Sequence, residues 1–209
     1  MMWIRGYEKT LVSSFFIFMN QVRERVNFLK TFVSDKNVGA ITVSSRFVIK
    51  NIMKHMRGSV HTVIECGPGE GVLTRALLKD LSPQGILLGI EANKKFASFL
   101  HGIHDSRLRI AEGKAQDIII HATKNNIGAA DLIVASIPFS FLTPLARLRM
   151  VRDAHKLLAS KGKFIIFNYS PLMYRTMKEV FGNVSLSVEM RNIPPCFIMV
   201  AQKRISQKA

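Results

Sequence analysis

Val63-Ile64-Glu65-Cys66-Gly67-Pro68-Gly69-Glu70-Gly71 is the stretch on which the fold of this chain turns. An apolar run ends in an acid, a glycine-rich turn follows, and an apolar-periodic segment begins at Val72. That order reads as a buried strand feeding a tight turn that opens a helix. Glycine suits such a turn because it adopts positive φ and lets the backbone approach a ligand closely. Dinucleotide-binding loops use a related turn to seat pyrophosphate at a helix N-terminus. Here Glu65 stands beside the turn and would repel a pyrophosphate, so a ligand with a cationic group fits better. The competing reading is a strand-to-helix turn that holds nothing.

Outward from this stretch, strands and helices alternate. Short continuous apolar runs at 62–66, 86–91, 108–111, 132–135 and 163–168 read as strands of a parallel sheet covered on both faces. Helices are predicted over 72–81, 94–101, 144–158 and 171–181, and an earlier one over 44–56 capped by Ser44 or Ser45. Residues 184–190 and 196–203 have no long helix between them and read as a closing antiparallel pair. The expected architecture is α/β, a Rossmann-like, mainly parallel seven-stranded sheet with helices on both faces. Glu91 ends the second strand, twenty positions after Gly71. A carboxylate there can accept hydrogen bonds from both hydroxyls of a ribose.

Two domains' worth of pattern precede and include this sheet. In residues 1–33, Leu11, Phe15, Phe18, Val22, Val26, Leu29 and Val33 recur at helical spacing, with Lys9, Arg23, Arg25 and Lys30 off that stripe. This is an amphipathic helix suited either to a membrane interface or to packing on the rest of the chain. Residues 34–209 form the α/β domain. No apolar run reaches the roughly 18 residues of a membrane span, and the short patch at 15–19 has no small-residue cleavage site after it. Cys66 and Cys196 lie in apolar runs and read as buried free thiols of a reducing compartment, with no metal-ligand spacing. The histidines show none either. The net charge of +16 asks for an anionic partner, nucleic acid or an acidic membrane, unless the cell's proteins are simply basic.

Four segments resemble one known family. Val38-Gly39-Ala40-Ile41-Thr42-Val43-Ser44-Ser45-Arg46 resembles its Gly-Ala-x-x-Pro-Ser-Ser-Arg motif, with Val43 in place of proline. Glu65 to Gly71 matches its Glu-x-Gly-Pro-Gly-x-Gly loop. Asn168-Tyr169 resembles its Thr-Tyr, and Arg191-Asn192-Ile193-Pro194-Pro195 its Arg-Asn-Leu-Pro-Pro. The family is the bacterial phospholipid N-methyltransferases, within the class I S-adenosylmethionine-dependent methyltransferases.

The resemblance implies S-adenosyl-L-methionine as cofactor, held by Glu65, Gly67, Pro68, Gly69, Gly71, Glu91, Ala92, Ala115 and Ser136. It implies phosphatidylethanolamine and its methylated derivatives as substrates, on the way to phosphatidylcholine. Ser45, Arg46, Pro138, Phe139, Arg191 and Asn192 are then the substrate-side residues, and Tyr169 is the catalytic candidate. Arg191 and Asn192 serve equally well, on the residues alone, as a lock on a loop. The implied location is the cytoplasmic face of the inner membrane, bound peripherally, with an anionic surface as partner and no nucleic acid. One departure concerns the adenine ring: Lys114 stands where the family has an aspartate, and lysine accepts no hydrogen bond.

The implied chemistry is attack of a neutral amine on a sulfonium methyl, which needs no metal. An apolar site disfavours the protonated amine, and Tyr169 or water is a place for its proton. Phe139, Phe141, Phe167 and Tyr169 are candidate aromatic walls for a methylated ammonium. Two other functions fit part of the pattern. An RNA adenine N-methyltransferase suits the charge, but Ser136 replaces the polar Asn or Asp that clamps a base amine, and no C-terminal helical domain is expected. A non-catalytic module of degenerate fold is suggested by Lys114.

Overall fold

A computed structural model describes residues 45–56, 60–192 and 194–204. The expected helix over 1–33 and the segment Val38 to Ser44 lie outside the described residues. The α/β unit runs α1 (Arg46–Met53), β1 (Thr62–Cys66), α2 (Val72–Asp80), β2 (Ile86–Glu91), α3 (Lys94–His101), β3 (Leu108–Glu112), α4 (Ile118–Lys124), β4 (Ala130–Ala135), α5 (Pro144–Leu157), β5 (Leu158–Asn168), α6 (Tyr174–Phe181), β6 (Val184–Glu189) and β7 (Cys196–Gln202). The seven strands form one sheet in the order β3-β2-β1-β4-β5-β7-β6. The first five are parallel, and β7 is inserted antiparallel between β5 and β6.

Strand position follows from side-chain pattern. The apolar runs of β1, β2 and β4 are buried along nearly their whole length, as central parallel strands must be. The outer strands β3 and β6 carry exposed residues instead. Alternation sorts the core onto two faces. Ile64, Leu88, Ile90, Ile133, Phe164 and Ile166 point to the face covered by α4, α5 and α6. Val63, Leu87, Leu132, Val134, Ile165 and Phe167 point to the face covered by α1 and α2. Register is therefore strongly specified, because a one-residue slip would exchange the two faces of a strand.

The expected elements are present, with small shifts at their ends. Ser45 caps α1, its hydroxyl accepting from the Val48 amide at 3.4 Å. Thr143 caps α5, whose first residue is Pro144. The sixth helix begins at Tyr174 rather than at 171, after a turn closed by the Tyr174 amide on the Pro171 carbonyl. Helix α4 is absent from the expectations: its three consecutive isoleucines show no helical periodicity, and in the structure only Ile118 of them is buried while Ile120 is half exposed. Arg107 closes the end of α2 by donating to the Leu78 and Leu81 carbonyls, both at 2.8 Å, so these C-terminal acceptors are not left bare. Both cysteines are buried free thiols. Among the described residues no helix is long and apolar enough to cross a membrane, and no group of His, Cys, Asp and Glu could hold a metal.

One buried acid ties strand to helix. The Thr74 hydroxyl donates to a Glu65 carboxylate oxygen at 2.7 Å, with both side chains buried. Burial raises the Glu65 pKa from 4.5 to about 7; the Thr74 bond opposes this and the Glu91 charge adds to it. The folded state thus keeps a proton that the unfolded chain releases above about pH 4.5. Stability should fall as pH rises from there to about 7, by up to about 3 kcal/mol. Glu65→Gln should flatten that slope. Urea unfolding of both proteins across the range checks it, and parallel stability curves would rule out a titrating Glu65.

Candidate functional site

The site forms where the C-terminal ends of β1, β2 and β4 meet. Gly67, Gly69 and Gly71 all have positive φ (80°, 58° and 76°). At Gly67 the requirement is also one of space: a Cβ would lie 2.8 Å from both the Ser136 carbonyl and the Ile137 side chain. The β4 tip therefore packs directly on the turn. The Gly67 amide donates to the Ile90 carbonyl at 2.9 Å and the Ser136 amide to the Cys66 carbonyl at 3.0 Å, fastening three strand ends together. Pro68 is buried and faces Gly89 of β2. At Gly69 a Cβ would meet nothing within 4 Å, so the turn is open on that side.

Glu91 is buried, and each of its carboxylate oxygens accepts one backbone hydrogen bond. One oxygen accepts from the Gly69 amide at 3.0 Å and the other from the Asn93 amide at 2.8 Å. Asn93 in turn caps α3 through the Lys95 amide. A carboxylate offers about four lone-pair directions, so two remain for hydroxyl donors. The next strand joins through the Gly113 amide, which donates to the Glu91 carbonyl at 2.9 Å. Ala92 is exposed at the β2 end, and Ala115 is buried one short turn beyond β3. Lys114 is exposed, and its side chain makes no hydrogen bond or ion pair among the described residues. Gly113 sits against His121, whose ring would lie 2.6 Å from a Cβ there.

These residues fit S-adenosyl-L-methionine. The turn has one open side, Glu91 has acceptors to spare for the ribose, and the Gly113–Ala115 backbone lies beside Glu91 to flank a purine. Glu65 stands differently from expectation. It lies beneath the turn, bonded to Thr74, and shapes the loop from below.

The substrate-side residues divide. Ser136 and Pro138 are exposed at the β4 tip. Phe139 is not available: it is 1% exposed and packed in the core beneath that tip. The short helical turn over Phe139–Phe141 points the first ring inward and the second outward, where Phe141 is 61% exposed. Phe167 is also core. Neither Phe139 nor Phe167 can wall an ammonium. Two residues that the sequence reading passed over hold the tip in place. Asn168 donates its amide to the Ile137 carbonyl at 3.0 Å, and Arg147 donates to the Phe139 carbonyl at 2.9 Å. Thr74 was also missed, although a threonine on the apolar face of a helix is a visible break in pattern.

Ser45, Arg46, Tyr169, Arg191 and Asn192 come together at the same end of the sheet. Asn192 is buried and acts as a lock: its side-chain oxygen accepts from the Ser45 amide at 3.2 Å, and its amide donates to the Pro194 carbonyl at 2.7 Å. Arg191 forms a two-pronged pair with Glu189, at 2.7 and 2.8 Å. The Phe47 ring lies between two guanidiniums, Arg191 at 4.2 Å and Arg46 at 4.9 Å from its centroid. Tyr169 is half-buried beside the Asn192 side chain. Burial raises its pKa above the ordinary value, so at neutral pH it is a phenol rather than a phenolate and does not take up a proton.

Comparison with known proteins agrees with this geometry. The methyltransferase small domain model matches residues 31–193. No curated protein matches the chain in sequence. Among solved structures, the N-methyltransferase NodS from Bradyrhizobium japonicum WM9 aligns with a TM-score of 0.61 and 13% identity, over 78% of this chain and 100% of that one. NodS is also known in complex with S-adenosyl-L-homocysteine. Precorrin-6y C5,15-methyltransferase from Geobacter metallireducens GS-15 aligns with a TM-score of 0.61 and 13% identity, over 81% of this chain and 97% of that one. TrmN from Thermus thermophilus gives 0.62 and 15%, over 79% of this chain and 51% of that one. With strand order, glycine turn, the buried carboxylate at the end of β2 and a match over most of its length in agreement, the chain belongs to the methyltransferase small domain family and is an S-adenosylmethionine-dependent methyltransferase.

Proposed function

We propose that this enzyme N-methylates phosphatidylethanolamine toward phosphatidylcholine at the surface of an anionic membrane, working from the cytoplasmic side without crossing it. The observation that carries the reading is the meeting of two distant segments at the methyl-transfer end of the sheet. Ser45-Arg46 and Arg191-Asn192 are joined by the Ser45–Asn192 bond and by the shared Phe47 ring. Arg191 is balanced by Glu189, whereas Arg46 has no carboxylate partner among the described residues. A guanidinium so placed suits the phosphate of a headgroup whose amine lies deeper in the site.

The surroundings support a bilayer. Phe141, Leu145, Leu172 and Met190 are exposed, at 61%, 76%, 40% and 64%. They follow β4, precede the second turn of α5, follow β5 and follow β6, so all four sit at the C-terminal ends of parallel strands. An apolar rim there can enter the interface and present the site to lipid.

S-adenosylmethionine supplies a methyl group already activated on a sulfonium. The chain's part is to bind, align and desolvate. Glu91 and the glycine turn fix the cofactor's position. The β4 tip, held by Asn168 and Arg147, sets the floor on which the amine rests. The amine loses its proton to water before its lone pair forms the new N–C bond as the C–S bond breaks. A quaternary product has no lone pair, which ends the series.

Glu91→Ala should weaken cofactor binding about a hundredfold, since two hydrogen bonds to a carboxylate are worth about 1.5 kcal/mol each. Calorimetry measures this, and an unchanged affinity would remove Glu91 from the ribose. Radiolabelled S-adenosylmethionine, offered with mixed phospholipid vesicles and separately with ribosomal subunits, tests the substrate. Label is expected in methylated ethanolamine lipids and not in RNA; the reverse would overturn the lipid reading and leave the methyltransferase intact. Phe141→Ser with Leu145→Ser should reduce co-sedimentation with anionic vesicles several-fold while cofactor affinity holds. Undiminished co-sedimentation would show that the rim is not the membrane face.

A further inference from the structure

The opposite end of the sheet carries a second concentration of charge that methyl transfer does not use. A cleft of about 640 Å³ is lined by His55, Lys161, Lys163, Gln202, Lys203 and Arg204. Lys163 lies on β5 roughly 16 Å below Asn168, at about 3.3 Å per strand residue. Lys161 and Lys163 open β5, and Gln202 closes the antiparallel β7. The cleft thus faces away from the glycine turn.

Main-chain bonds, not carboxylates, fix the strand ends that carry these cations, and the Lys203 ammonium donates to the Lys156 and Leu158 carbonyls at 3.3 and 2.6 Å. The Lys161 amide donates to the Lys203 carbonyl at 3.1 Å, and the Lys203 amide to the Gly162 carbonyl at 2.9 Å. Gln202 donates to the Lys161 carbonyl at 2.8 Å and stands directly across from Lys163 in the ladder. Lys161 itself has φ 65°, a left-handed conformation unfavourable for a residue with a Cβ. Strain of that kind at a lysine inside a basic cluster is an observation that asks for a function. No acidic side chain lines the cleft among the described residues. The crowding is felt locally: burial lowers the His55 pKa, and the Lys163 and Lys54 charges lower it further. An anion would relieve this repulsion.

We propose that the cleft binds an oligophosphate group, as carried by inorganic polyphosphate or by a nucleoside triphosphate. Its size is that of a small-ligand site, for which about 300–1,000 Å³ is usual. Lysines act as point charges toward phosphate oxygens, and the amides of Asn183 and Gln202 can donate to them. Apart from His55 the lining has no aromatic residue, so it offers no row of rings on which successive bases of single-stranded RNA could stack. A bilayer is flat, whereas Lys163, Lys203 and His55 are recessed.

The test is calorimetry on the full chain, titrated with inorganic tripolyphosphate and, separately, with a nucleoside triphosphate. Saturable binding of one ligand per chain, weakening with added salt, is expected. Equal affinities identify the phosphates alone as the determinant, and a tighter nucleoside triphosphate adds a nucleoside contact; either supports the site. Lys161→Gln with Lys163→Gln should weaken binding tenfold or more, with S-adenosylmethionine affinity unchanged. Arg204→Gln, an exposed position at the chain's described end, is a second variant that should weaken binding even if the lysine pair is not tolerated. Absence of saturable binding, or full binding by the variants, would overturn the proposal. So would RNA or anionic vesicles that bind through these lysines and are not displaced by tripolyphosphate.

Discussion

The Glu91 carboxylate holds two loops at once, and the cofactor end of this protein depends on that hold. Its oxygens accept from Gly69 in the glycine turn and from Asn93 at the start of α3. A buried carboxylate with no donors would be costly, and backbone amides at a turn with no acceptor would be costly too. Each need answers the other. The arrangement is only reachable because Gly67 and Gly69 adopt positive φ and because Pro68 fits over Gly89. The turn, the ribose acceptor and the packing of β1 against β2 are thus one constraint. A side chain at Gly67 would disturb the β4 tip at Ser136 before it touched any ligand.

How legible each part was depends on the kind of physics that places it. Strands β1, β2 and β4 were readable because strands buried on both faces must be apolar throughout, and these runs are short and bounded by turn residues. The antiparallel pairing of β6 with β7 followed from the lack of a long helix between them, whereas the insertion of β7 beside β5 has no mark in the sequence. Helix α4 was not readable: three consecutive isoleucines carry a strand's propensity, and only packing of Ile118 and Ala122 onto the sheet makes the segment helical. Phe139 shows the limit for site residues. Its place in sequence puts it at a strand tip, but whether a ring there faces a substrate or the core depends on the pitch of one short turn. The same turn exposes Phe141, two residues on.

Residues far apart in sequence that share a local motif were legible as types and not as roles. Arg191 and Asn192 looked like phosphate ligands or a lock with equal force. The structure makes Asn192 a lock, because its amide is already committed to Ser45 and Pro194. Arg191 is largely committed as well, to Glu189. That leaves Arg46 as the more available cation of the pair, a distinction that rests on where Glu189 falls in the β6–β7 corner. Lys161 was invisible for a related reason. Nothing in Ser160-Lys161-Gly162 marks the lysine rather than the glycine as the residue with positive φ.

Part of the net charge of +16 lies in two different physical arrangements. Near the methyl-transfer end, guanidiniums lie on an aromatic face and one is neutralised by a carboxylate, which fixes direction and spends little field on solvent. At the far end, ammonium groups crowd a polar cleft with no acidic residue among its lining, which leaves the field uncancelled. Arginine in the first place and lysine in the second accord with what each does well: planar, oriented contact against a diffuse point charge. A sheet whose two ends are charged by such different means is suited to two anions of different shape.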